Sequence, residues 1–97
     1  LKDLMWVLWR AERFEQAAEV AAQVLSRAKK DTDAWNMRGQ AYAALGKREE
    51  AIKAFQESLR IAPGQIKVSL TVIRLHLDIE QVKTATNLLN TLQQHRR

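Results

Sequence analysis

A step of 34 residues runs through the whole chain and limits what it can fold into. Ala17, Ala51 and Ala85 are related by that step, as are Ala21, Phe55 and Leu89. So are Met5, Gly39 and Ile73, then Val7, Ala41 and Leu75, then Ala11, Leu45 and Ile79. Every member of these columns is apolar or small. A fixed period of this size marks an array of like units, each too small to bury its apolar face alone. Within each unit the apolar residues recur at helical spacing, and no stretch alternates as a strand would.

Local signals divide the units into helices. Thr32, followed by Asp33-Ala34-Trp35, reads as an N-cap with an acidic first turn. Leu45-Gly46-Lys47 is a helix stop at glycine, and Pro63-Gly64 ends the next helix. The corresponding turns at Glu12-Arg13 and Glu80-Gln81 lack glycine. The pattern predicts six helices, over 1–11, 15–28, 33–45, 48–61, 67–79 and 82–95.

The central copy carries the most distinctive residues: Trp35, Gly39, Tyr42, Gly46, Ala51, Phe55 and Pro63. With these residues the chain resembles the tetratricopeptide repeat family. Residues 32–65 fit nearly throughout, with Arg38 standing where the family usually has leucine. Residues 1–31 and 66–97 keep the register with fewer identities. The resemblance implies an all-α fold: three tandem antiparallel helix–turn–helix hairpins (1–31, 32–65 and 66–97), stacked as a short right-handed α-solenoid. The first unit begins part-way through its helix, so the segment reads as part of a longer array. Arrays usually end in a polar cap. Here Val82, Ala85, Leu88, Leu89 and Leu92 close the last helix, so further repeats or self-association through these edges are expected.

Several function classes drop out. The chain has no cysteine, hence no disulfide, thiol nucleophile or thiolate metal site. That is compatible with the cytosol and with a bacterial periplasm alike. Leu4 to Trp9, the longest apolar stretch, is far short of the roughly 18 residues that span a bilayer. The histidines are His76 and His95, and His76 shares a column with Leu8 and Tyr42, which predicts a partly buried packing role. His76 and Glu80 sit one helical turn apart, but two ligands do not make a zinc site. Ser26, Ser58 and Ser69 have no base at motif spacing, and the three glycines form no phosphate loop. No enzyme and no cofactor is expected.

The resemblance also implies where a partner would bind, since the first helix of each hairpin lines a concave groove in this family. Carried over by position, that groove takes Lys2, Trp6, Trp9 and Arg10 from the first unit. The second gives Asp33, Asn36, Met37, Gln40 and Ala44, and the third Lys67, Leu70, Thr71, Arg74 and Asp78. Trp6 and Trp9 are read either as anchors for a partner segment or as packing at the hairpin edge. Some relatives grip a chaperone's terminal carboxylate with a five-residue clamp. Here Lys2 and Lys67 match it, while Trp6, Met37 and Thr71 do not, which argues against that role. The remaining groove is mixed apolar and basic, suited to an amphipathic or acidic-apolar segment of another protein.

The net charge is +5, with a pI near 10.0. The cations are dispersed, however: Lys29-Lys30, Lys47-Arg48 and Arg96-Arg97 each lie beside a turn or chain end. A scaffold module in a larger assembly, such as a secretion, envelope or chaperone-adaptor complex, is the leading reading. An RNA-binding helical repeat is the alternative that the charge suggests, and the lack of a single basic stripe argues against it. A third reading is a spacer that self-associates through its edges.

Overall fold

A computed structural model describes residues 2–95 as five α-helices: α1 Lys2–Arg10, α2 Phe14–Arg27, α3 Thr32–Ala44, α4 Arg48–Ile61 and α5 Ile66–His95. Leu1, Arg96 and Arg97 lie outside the described residues, as does the side chain of His95. The all-α helical-repeat architecture holds, and α1/α2 and α3/α4 are antiparallel hairpins. The predicted sixth helix does not exist as a separate element. Residues 66–95 form one helix, with no turn at Glu80-Gln81.

One column explains the difference. Gly46 ends α3 at φ 79°, and Glu12, one repeat earlier, ends α1 at φ 60°. Both close the same reciprocal pair of bonds. After α3, the amide of Lys47 donates to the Tyr42 carbonyl (2.9 Å) and that of Gly46 to Ala43 (3.1 Å). After α1, Arg13 donates to Leu8 (2.9 Å) and Glu12 to Trp9 (3.0 Å). This is the left-handed helix stop, in which a glycine carries no strain and a glutamate does. One repeat later the column holds Glu80, and the chain stays helical through it. In the first unit, packing of α2 against both α1 and α3 offsets the strain at Glu12. Among the described residues, 80–94 are all exposed, so nothing offsets it at Glu80.

Two clusters form the core. Met5, Ala17, Val20, Ala21, Val24, Leu25, Ala34 and Met37 join α1, α2 and α3. Ala51, Ile52, Phe55 and Leu75 join α4 to α5, with Tyr42, Ala43, Val68, Val72 and Ile79 packed around them. Gly39 is where α3 and α4 come closest: a Cβ built there would lie 2.6 Å from the Phe55 ring. Only glycine admits that approach without displacing the ring.

The N-cap of α3 is Asp31 rather than Thr32. Its carboxylate accepts from the Ala34 amide at 3.2 Å. The indole Nε1 of Trp35 donates to the Lys29 carbonyl at 2.9 Å and pins the turn between the first two hairpins. One repeat on, Gln65 occupies the Asp31 column but turns backward. Its Nε2 donates to the carbonyls of Ser58 (3.1 Å) and Ala62 (2.9 Å), closing the end of α4.

Candidate functional site

The sequence-predicted groove residues divide by how α1, α3 and α5 are packed. Met37 has no exposed surface. It belongs to the core against α2, so it is corrected from groove to core. Trp9 also turns inward: it packs on the same cluster, with its ring edge-on to Phe14 at 5.0 Å. Its column continues as Ala43 and Leu77, and Ala43 likewise packs toward the second helix of its own hairpin. Asn36 is half-buried and its amide donates to Gln65 Oε1 at 2.9 Å, which makes it part of the seal at the end of α4. Thr71 is half-buried and its hydroxyl donates to the Lys67 carbonyl at 2.9 Å.

His76 is exposed, against the packing role predicted for it. Leu8 and Tyr42, in the same column, are half-buried because a second helix lies beside them. The straight course of α5 removes that helix from His76.

Lys2, Trp6, Arg10, Gln40, Lys67, Leu70 and Arg74 remain exposed. Trp6, Gln40 and Arg74 are one column, each 34 residues from the next, on α1, α3 and the first half of α5. On α3, Gln40 lies one turn after Asn36, on the face opposite Arg38 and Tyr42 by helical spacing. Arg38 stacks over the Tyr42 ring at 5.0 Å, and its Nη2 donates to the Tyr42 hydroxyl at 2.6 Å. This guanidinium, in a position where the family usually has leucine, is therefore occupied on the outer side.

The basic side of the groove is partly neutralised. Lys2 Nζ meets Asp31 at 3.0 Å and Asp33 at 3.1 Å, tying the start of α1 to the start of α3. The two carboxylates hold the Lys2 ammonium above its ordinary pKa of 10.5. Burial alone would push the Asp31 carboxyl up. The hydrogen bond from Lys2 and that from the Ala34 amide outweigh it and bring Asp31 below its ordinary 3.8. Sequence reasoning missed this clasp because it read Thr32 as the cap. Asp31, an acidic residue just ahead of the helix, was the available signal. Among the described residues no ion pair involves Arg10, Lys67 or Arg74, and no group of three or more acidic or histidine side chains is placed to hold a metal.

The tetratricopeptide repeat profile matches residues 3–66, which runs from the second residue of α1 through α4 to the first residue of α5. The chain belongs to the tetratricopeptide repeat family. Repeats of this family generally mediate protein–protein interaction and are typically non-catalytic. The profile match ends where the hairpin pattern gives way to the long helix. No curated protein matches the chain. No described helix is long and apolar enough to cross a membrane.

Proposed function

We propose that this tetratricopeptide segment is a protein-binding module whose working surface is the exposed column Trp6, Gln40 and Arg74. Arg10 and Lys67 extend that surface, and its occupant is an amphipathic or acidic-apolar segment of another protein. The observation that carries this reading is Trp6. It keeps 43 % of its surface exposed beside a helix start already tied down by Lys2. A large aromatic held open on a firm base is the usual anchor of an interface, and the unpaired Arg10, one turn further along α1, favours an acidic neighbour. With Lys2 engaged by Asp31 and Asp33, the charge available to a partner comes from Arg10, Lys67 and Arg74. An assembly role in a secretion, envelope or chaperone-adaptor complex fits such a surface.

The test is a pull-down with wild type beside Trp6→Ala/Arg74→Glu and a control, Lys53→Glu/Arg60→Glu, on exposed positions of α4. A specific protein recovered by wild type and the control, and lost by the Trp6 variant, supports the groove. Equal recovery by all three refutes it. Salt-sensitive recovery of nucleic acid in place of a protein would shift the reading to RNA.

A further inference from the structure

The two halves of α5 carry complementary faces that cannot meet within one chain. On the first half, Leu70, Ile73 and Leu77 continue the columns of Asn36, Gly39 and Ala43. In the second hairpin those positions face α4 and its end: Gly39 against Phe55, Ala43 in the cluster of Ala51 and Phe55, and Asn36 toward Gln65 beside Ser58. On the second half, Ala85, Leu89 and Leu92 continue the columns of Ala51, Phe55 and Ser58, which are all buried, with Phe55 against Gly39 of α3. In the second hairpin these two sets of positions cover one another. In α5 they lie on one straight helix, and Leu70, Ile73, Leu77, Leu89 and Leu92 are 55–65 % exposed.

We infer that a second copy of this chain completes the third repeat by exchange. The latter half of α5 from one copy lies antiparallel on the first half of α5 from the other, and the reverse. The observed Gly39–Phe55 contact, moved on by one repeat, sets Ile73 of one copy against Leu89 of the other. Leu70 then faces Leu92, and Leu77 faces Ala85. This register brings Ile66 to within one residue of the other copy's helix end at His95. At 3.6 residues per turn the two sets lie about 90° apart around α5, so the paired helices cross near Gln81 rather than lying side by side along their length. Each contact occurs twice, as a two-fold interface requires.

Two substitutions oppose the closed hairpin and permit the exchange. Glu80 stands where the turn needs a left-handed residue, and the exchanged form has no turn there. Ile73 stands where even an alanine Cβ would strike the Phe55 ring at the close approach of the second hairpin. Leu89 has no ring, and two helices not joined by a tight turn are free to stand further apart.

The area is sufficient. Leu70, Ile73, Leu77, Leu89 and Leu92, at 55–65 % exposure, each offer about 60 Å², or about 600 Å² from both copies. With the ordinary polar share of an interface, the total reaches about 1,000 Å², the least that a specific interface clears. Leu70, one of the predicted groove residues, is consumed by this contact, whereas Trp6 and Gln40 lie on other helices.

The chain has no cysteine, so single cysteines report contacts without interference. Ile73→Cys and Leu89→Cys proteins would be prepared separately, mixed and oxidised, alongside light scattering over a concentration series. The exchange predicts a reversible dimer of the 11.2 kDa chain and a mixed disulfide exceeding either self-linked product by ~10-fold. It also predicts that Glu80→Gly, which supplies the missing turn residue, lowers the dimer fraction. In that background the doubly substituted chain would link within itself. A monomer at every concentration overturns the inference, whether the doubly substituted chain closes on itself or not at all. So does a dimer in which no mixed disulfide forms. Both cysteine positions are exposed, so loss of folding is not expected, and far-UV circular dichroism checks it.

Discussion

Gly39→Ala tests whether the second hairpin depends on a close helix approach. The added Cβ would lie 2.6–2.7 Å from three atoms of the Phe55 ring. Phe55 is 2 % exposed and is packed with Ala51, Ile52 and Leu75, so the ring has little room to retreat. Overpacking of this kind costs about 1–3 kcal/mol. In the other direction, alanine in place of glycine inside a helix contributes about 1 kcal/mol. The steric effect wins, for a net loss of about 1 kcal/mol. In a domain of this size that lowers Tm by about 4–8 °C. Urea unfolding followed by circular dichroism at 222 nm, together with a thermal melt, reads both. A double-mutant cycle with Phe55→Leu isolates the contact: truncating the ring relieves the clash, so the two losses sum to more than the double variant shows, by at least ~0.5 kcal/mol. A Gly39→Ala protein more stable than wild type by about 1 kcal/mol, the helix-propensity gain alone, would refute the reasoning.

Four further outcomes follow from the turns, the clasp and the seal. Glu12→Gly removes a left-handed strain of about 1 kcal/mol and is expected to raise the melting temperature, whereas a drop would mean that the glutamate side chain stabilises the turn. Asp31→Asn keeps the cap but loses the charge, and since the folded Asp31 pKa lies below 3.8, the stability it contributes is present above that value and disappears as pH falls through the lowered one. Lys2→Met shows the mirror case, because the raised pKa means the ammonium's contribution is full below 10.5 and lost at higher pH; a wild-type-minus-variant difference flat across both windows in pH-dependent urea melts would count against the clasp. Gln65→Leu strips the seal from the end of α4 and strands Ser58 and Asn36, whose Oδ1 is already buried without a partner, at a cost of about 1–3 kcal/mol, with amide exchange accelerating in the last turn of α4.

Much of the fold was legible because the information is periodic and local. Gly46 and Pro63-Gly64 mark helix ends, the columns of Ala17 and Met5 mark the buried faces of the first two hairpins, and α1 to α4 fall within two residues of the predicted bounds. The site was less legible. Sequence columns say which residues are equivalent, but not how much each face is covered. Asp3, Met37 and Thr71 share a column, yet they are exposed, buried and half-buried. Met37 alone lies in the middle of the stack, between α2 and the rest of the core. Trp9 was ambiguous for the same reason: a tryptophan pattern does not distinguish an open ring from one edge-on to Phe14.

The sequence by itself determined the repeat length, the helical class and the two hairpins, since glycine, proline and apolar spacing act through neighbours along the chain. Only the tertiary structure decided what a glutamate does at the turn column. Glu12 is forced into a left-handed turn because α2 has helices to pack against on both sides. Glu80, with the same local chemistry, continues a helix, because exposed residues 81–94 supply no packing to offset the strain. The balance between about 1 kcal/mol of backbone strain and the burial of a neighbouring helix is set by three-dimensional contacts, which identical side chains in the same register do not reveal.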